Sequence, residues 1–295
     1  MNEQTRLGII YAIAGYVLWG LAPIYYKIIS EISPLEILSN RVIWSFVLLV
    51  IIVVLTRQGR QILEVLMDTR RLLLTAGSAL LLGVNWLIFI WAINNGHMLE
   101  SSLGYYINPL FSVVLGVLFF HERLHPWQAA AVILAFVGVM IQVVSLGEIP
   151  WVSLGLAFTF GIYGLLRKSL KLGAVTGLLF ETAIMLPIAL VYLKFIDPSH
   201  TSNFLHNSSD LNLLLMAAGV ITVLPLLGFT AAATRLDLSL LGFFQYLSPT
   251  IVFFLAITFY GEQINPTKMV TFSLIWLALV IFSIGGVKKA RLQHV

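Results

Sequence analysis

Residues 103–126 read LGYYINPLFSVVLGVLFFHERLHP and residues 243–266 read FFQYLSPTIVFFLAITFYGEQINP. Tyr106, Pro109, Glu122 and Pro126 of the first stretch recur as Tyr246, Pro249, Glu262 and Pro266 in the second, each 140 residues later. Upstream, Gly20 and Lys27 recur as Gly161 and Lys168 at an offset of 141, a one-residue slip that a loop absorbs. Four matches at one offset, each at the same place relative to an apolar run, mark an internal duplication. It divides the chain into repeats at 1–147 and 148–295.

The medium in which the repeats fold follows from composition. Of 295 residues 59% are hydrophobic and only 10% charged, against about 25% charged in a soluble domain. Mean hydropathy is +0.97. Such a chain lacks the polar surface to dissolve and belongs in a bilayer, with lipid as its surroundings. There is no cysteine, which excludes disulfide frameworks, iron–sulfur clusters and cysteine zinc sites. A GxxxxGK[ST] phosphate loop is absent, so nothing suggests that ATP drives the chain or that a cofactor serves it. The net charge of +4 is explained by loop bias rather than by nucleic acid.

A helix crosses a bilayer with roughly 20 apolar residues. Ten stretches qualify: 7–28, 35–55, 72–94, 98–120, 126–146, 149–167, 174–196, 211–234, 238–260 and 267–287. The first is too long for a signal-peptide core and runs to Lys27 without a cleavage site, so it counts as a span. With the N-terminus in the cytoplasm, most of the 17 Lys and Arg residues fall on the cytoplasmic side. Among them are Arg57, Arg60, Arg70, Arg71, Arg167, Lys168, Lys171 and Arg235, while only Lys27, Lys194 and Lys268 fall outside. That bias places both termini in the cytoplasm. Five spans per repeat is an odd number, so the second repeat enters from the opposite face. Inverted repeats of this kind build secondary transporters, in which exchange of the two halves' conformations moves access from one side to the other. The expected fold is an all-α membrane protein, ten transmembrane helices in two inverted five-helix repeats.

The strings RVIW (41–44), NWLIFIWAIN (85–94), HMLESSLGYYINPL (97–110), AAATRLDLSLLGFFQYLSPT (231–250) and KMVTF (268–272) resemble the RarD-like subgroup of the EamA family, within the drug/metabolite transporter superfamily. The likeness covers essentially the whole chain. It implies a bacterial inner-membrane permease that exports small metabolites or drugs. It also implies a central cavity lined from spans one, three, four, six, eight and nine. The subgroup carries a chloramphenicol-related label, a hint at the substrate.

Polar side chains inside spans are costly unless they face the bundle interior, which makes them candidates for function. Asn85 and Asn108 lie near mid-span on neighbouring helices and are the expected substrate contacts, with Gln245 and the aromatic residues Trp19, Tyr26, Trp86, Phe89, Tyr105, Tyr163 and Tyr246. Pro109 and Pro249 each remove a backbone donor and are the expected hinges. Arg41, Glu36, Glu100 and Glu181 are the expected gating or coupling groups. Arg41 and Glu181 match in the repeat, but they enter from opposite faces, which leaves roughly 10 Å between their levels. Glu36 or Glu100 is therefore the expected partner of Arg41, as a structural pair or beside an anionic substrate. Glu181 is the most isolated intramembrane carboxylate and the candidate for proton coupling.

His121-Glu122-Arg123-Leu124-His125 fits HExxH, a zinc-protease signature that needs both imidazoles on one helical face. Pro126 biases His125 away from helical geometry, and the repeat copy at Glu262 has no histidine. Metalloprotease activity is thus the minor alternative, with a passive channel beside it. No metal site is expected. Glu122 and Glu262 are expected to brace the starts of spans five and ten.

Overall fold

The computed structural model describes residues 3–95, 98–147, 149–196, 205–258 and 266–292; the side chains at 93–94, 98–100, 102, 146, 256, 268 and 283–292 lie outside the described set. The described residues form helices and turns, with no strand among them. In chain order they are α1 (Glu3–Ile28), α2 (Pro34–Leu55), α3 (Gly59–Met67), α4 (Thr69–Asn94), α5 (Met98–Phe120), α6 (Pro126–Leu146) and α7 (Trp151–Leu170). Then come α8 (Ala174–Val191), α9 (Ser209–Ala233), α10 (Leu238–Gln245), α11 (Leu247–Thr258) and α12 (Pro266–Leu292). A π-helical turn, Tyr192–Ile196, extends α8. Apart from α3, these helices coincide with the ten apolar stretches to within about a turn and a half.

Among the described residues, eight stretches are long and apolar enough to cross a membrane: α1, α2, Thr69–Ala92, Leu103–Phe120, Pro126–Ser145, Ala174–Ile196, α9 and Leu238–Leu255. In α12 the apolar run is the shorter Met269–Phe282. α7 ends on Arg167 and Lys168.

Local chemistry sets the ends. Ser33 accepts from the Glu36 N–H ahead of Pro34, Asp68 from the Arg71 N–H and Ser208 from the Leu211 N–H, each supplying an acceptor to an orphan donor of a first turn. His125 and Gln128 form a reciprocal capping box at the start of α6. Gly147, at φ +78°, closes α6 in the left-handed conformation that glycine tolerates. The segment 56–71, read from sequence as a connection, contains α3. That helix places Val65 against Leu170 and Leu172 beyond the end of α7.

Packing runs almost entirely between the two halves. α1 packs on α9 and α11, α2 on α8 and α9, α4 on α7 and α8, α5 on α7 and α10, and α6 on α12. Substituting each helix by its repeat counterpart maps this set of pairs onto itself. Residue contacts follow: Gly20 abuts Ile251, and its counterpart Gly161 abuts Phe111, the counterpart of Ile251. The Tyr246 hydroxyl donates to the carbonyl of Tyr106, 140 residues earlier, at 3.1 Å. Leu118, Phe119, Ile133 and Ile188 face outward, as an apolar perimeter in lipid should.

Lipid is as apolar as leucine, so helices associate through close packing and hydrogen bonds rather than through removal of apolar surface from water. The α1–α9 crossing shows the consequence. A β carbon on Gly228 would stand 2.8 Å from the Tyr11 carbonyl and 2.9 Å from Gly15 Cα. Gly228→Ala should therefore force the helices apart and cost about 1–3 kcal/mol, read as a lower unfolding temperature in detergent. Gly59→Ala, whose β carbon meets nothing within 4 Å, should leave that temperature unchanged.

Candidate substrate site and the charges around it

Arg41 lies two turns into α2. Its guanidinium carbon is 4.8 Å from the Trp86 ring centroid and 5.7 Å from that of Tyr26. Its Nε donates to Thr222 Oγ1 at 2.9 Å, and that hydroxyl donates in turn to the Ala218 carbonyl. Tyr105 adjoins Arg41 and Tyr26, is half exposed, and meets Phe89 edge-on at 6.1 Å. Four helices, α1, α2, α4 and α9, thus bring two aromatic rings and a hydroxyl around one cation, with Tyr105 of α5 nearby. Cation–π contact contributes on the order of 0.5–2 kcal/mol, well short of a counterion. The expected partner Glu36 forms no ion pair with Arg41; Glu36 is buried and its carbonyl accepts from Asn40. The Glu100 side chain lies outside the described residues.

Glu181, expected to be isolated, has three partners. Arg167 Nη1 lies 3.6 Å from Oε1, Ser78 Oγ donates to Oε1 at 2.7 Å, and the Tyr163 hydroxyl donates to Oε2 at 3.2 Å. Arg167 and Glu181 are both fully buried. Arg167, counted from sequence among the cytoplasmic charges at the end of the stretch 149–167, folds inward from the last turn of α7. Its guanidinium occupies the space that a side chain on Gly177 would fill. Only proximity in three dimensions could reveal the pair, because 14 residues and a turn separate its members.

The two clusters occupy equivalent places. Arg41 corresponds to Glu181 at an offset of 140, and Tyr26 to Arg167 at 141. One corner therefore joins an arginine to a carboxylate. The other joins an arginine to aromatic rings.

The remaining expected residues divide. Asn85 Nδ2 donates to the Leu156 carbonyl at 2.9 Å and to Thr159 Oγ1 at 2.8 Å, joining α4 to α7. Asn108 is buried and its Oδ1 has no hydrogen-bond partner among the described residues; the buried Gln245 side chain faces the Tyr16 hydroxyl. Trp19 packs with Tyr16, Phe160 and Phe229, and Tyr163 stacks on Phe229. These rings form an aromatic core that reaches Glu181 through Tyr163 and packs against Trp86. The helix runs unbroken through Pro109 in α5. Before Pro249 it is interrupted at Tyr246, between α10 and α11, where proline supplies no N–H to the carbonyl of Gln245.

Residues 121–125 are not helical, so the two histidines of HExxH share no helix face. His125 instead caps α6, with Nδ1 3.5 Å from the Trp127 nitrogen. Glu122 does not brace α6 as expected: its carboxylate caps α10. Oε1 accepts from Leu238 N–H at 2.6 Å and Oε2 from Ser239 N–H at 2.9 Å, with Lys168 Nζ 3.2 Å from Oε1. Lys168 also donates to the Leu236 carbonyl at 2.5 Å. The ends of α5 and α7 are thereby tied to the start of α10. The matching expectation for Glu262 lies outside the described residues.

The fold and these buried charges define a multi-pass helical membrane protein. Residues 6–144 match the EamA-like transporter family. The chain is 52% identical to Protein RarD of Salmonella typhi over 289 residues, covering 98% of both chains. It is also 52% identical to an uncharacterized transporter of Vibrio cholerae, covering 98% of this chain and 96% of the relative. A protein crystal structure superposes with a TM-score of 0.73 over 94% of this chain and 97% of that one, at 15% identity, a likeness of fold alone. The chain belongs to the RarD-like branch of the EamA family of membrane transporters.

Burial pushes the Glu122 carboxyl upward, but the Ser239 and Leu238 donors and Lys168 outweigh it, leaving the group below the usual carboxylate range. Its stabilising effect is full above the unfolded value of about 4.3 and lost as pH falls through the folded one. Glu122→Gln should lower stability at neutral pH by about 1–3 kcal/mol. Thermal unfolding followed from neutral to acid pH should fall less steeply in the variant than in wild type.

Proposed function

We propose that this chain is a secondary transporter, not an enzyme, and that it moves a small molecule across the bacterial inner membrane by alternating access, in the direction of export. In this reading ten helices cross the bilayer as two inverted halves with both termini in the cytoplasm. The self-consistent exchange of helix pairs between the halves supports it, as does membership of a transporter family. The tie of Glu122 and Lys168 to α10 then closes the cytoplasmic side, and separation of these groups opens it.

The observation that carries the substrate site is Arg41. Among the described residues its polar partner is the neutral hydroxyl of Thr222, and a guanidinium in a membrane span calls for an anion. The substrate we infer carries a carboxylate or similar anionic group on a flat apolar body, held between Trp86, Tyr26 and Tyr105. Asn108, whose carbonyl oxygen has no partner among the described residues, and Gln245 beside Tyr16 are further contacts available once the halves move. Asn85 serves as a link between helices. Glu181, with Arg167, is the proton-coupling candidate, and Pro249 marks the hinge.

Solute counterflow in proteoliposomes tests the site, with aromatic carboxylates, amino acids, chloramphenicol-like aromatics and quaternary amines as the panel. Saturable counterflow of an aromatic anion should fall tenfold or more in Arg41→Gln, the loss of a charge-assisted hydrogen bond. Unchanged flux in that variant would remove the Arg41 site, and flux without saturation or counterflow would indicate a channel. Glu181→Gln transport with its pH dependence intact would sink proton coupling.

The absence of cysteine allows topology to be read without background. Gly59→Cys should react with an impermeant maleimide only from the cytoplasmic face of oriented vesicles, and Leu205→Cys only from the opposite face. Labelling of both from one face contradicts the proposed crossing pattern.

A further inference from the structure

A cavity of about 550 Å³ opens where the ends of α5, α7 and α9 meet the start of α8. Lys168, Lys171 and Arg235 line it, together with Phe120, Leu172 and Gly173. Among the described residues no carboxylate lines it. Lys168 is already engaged by Glu122. Arg235 directs Nη1 to the Ala231 carbonyl and Thr234 of its own turn. Lys171 has no ion pair or hydrogen bond among the described residues. α8 begins at this cavity, and its N-cap, Gly173, offers no side chain to the free N–H groups of the first turn.

Each cation taken singly has an ordinary explanation, since lysine and arginine suit helix C-termini. Lys168 and Lys171 end α7, and Arg235 follows α9. That explanation gives no reason for cations from two separate helices to face one cavity, where they repel one another. Nor does it explain why the positive end of α8 adds to the same field. Lys171 also adopts φ +50°, a position where glycine is the usual residue at a helix end.

We propose that this cavity is a binding site for a phosphate-type oxyanion, independent of Arg41 and on the face that the charge bias assigns to the cytoplasm. The N–H groups of α8 and the Lys171 and Arg235 side chains would hold the oxyanion. Phe120 and Leu172 offer an apolar wall to whatever bears it. Both a free phosphate compound and the headgroup of an acidic phospholipid present this chemistry.

The test is thermal unfolding of the full chain in two settings. In delipidated detergent, inorganic phosphate is titrated against chloride at matched ionic strength. In nanodiscs, phosphatidylcholine alone is compared with phosphatidylcholine containing phosphatidylglycerol. Wild type should be stabilised saturably in at least one setting. Lys171→Gln and Arg235→Gln should each weaken the apparent affinity roughly tenfold, while Lys171→Arg should retain it. A response to phosphate in detergent identifies a free anion as sufficient, and a response confined to phosphatidylglycerol identifies a lipid headgroup. Equal stabilisation of wild type and both Gln variants is general salting of the surface and overturns the site. So does the absence of a response in both settings.

Discussion

Hydrocarbon offers no hydrogen bonds, so every polar group carried into the bilayer must find its partner within the protein. In this chain several of those partners lie across the boundary between the two halves, while others, such as Arg167 and Tyr163 around Glu181, lie within one half. Arg41 reaches Thr222, Ser78 reaches Glu181, and Asn85 reaches Leu156 and Thr159. Tyr25 donates to the Leu214 carbonyl, Thr271 to that of Gly138, and Tyr246 to that of Tyr106. Glu122 joins the same pattern at the bundle's end by capping α10. These cross-boundary bonds stitch one half to the other.

Positions 140 or 141 residues apart hold different partners. At the Arg167–Glu181 corner the charges are complementary, buried and further bonded by two hydroxyls, so removing either partner would strand the other, at a cost on the order of 3–5 kcal/mol. At the Arg41–Tyr26 corner the cation meets rings that attract it more weakly than a carboxylate would. The first corner holds its own counterion. The second retains capacity for an anion, and it is the half-exposed Tyr105 side of the bundle that borders it. Close glycine contacts such as Gly15 with Gly228 set the helix spacing around both corners.

Much of this was legible in the residues. The apolar stretches gave helix positions to within about a turn and a half, because the length of an apolar run and a bounding Pro or Gly are local properties. The offset of 140 found the pairing of Tyr106 with Tyr246, although it could not foresee a direct hydrogen bond between them. The role of α3 was missed, since nine amphipathic residues fall below the length of a span. Arg167 counts from sequence as a cytoplasmic charge at a span end, because charge bias tallies residues near span ends and is blind to a side chain that turns inward. Glu122 was assigned to the next helix in sequence, whereas the helix it caps begins 116 residues later.

By itself, then, the sequence determined the medium, the helical class and the family, because these depend on composition, periodicity and local motifs. The tertiary structure alone decided which charges are partnered. It joined Arg167 to Glu181, left Arg41 with aromatic rings and a hydroxyl, converted HExxH into two helix caps, and gathered Lys168, Lys171 and Arg235 around one cavity. The reason is physical: the energy of a charge in a bilayer depends on what stands within about 4 Å of it, and those neighbours come from helices that are distant in the chain.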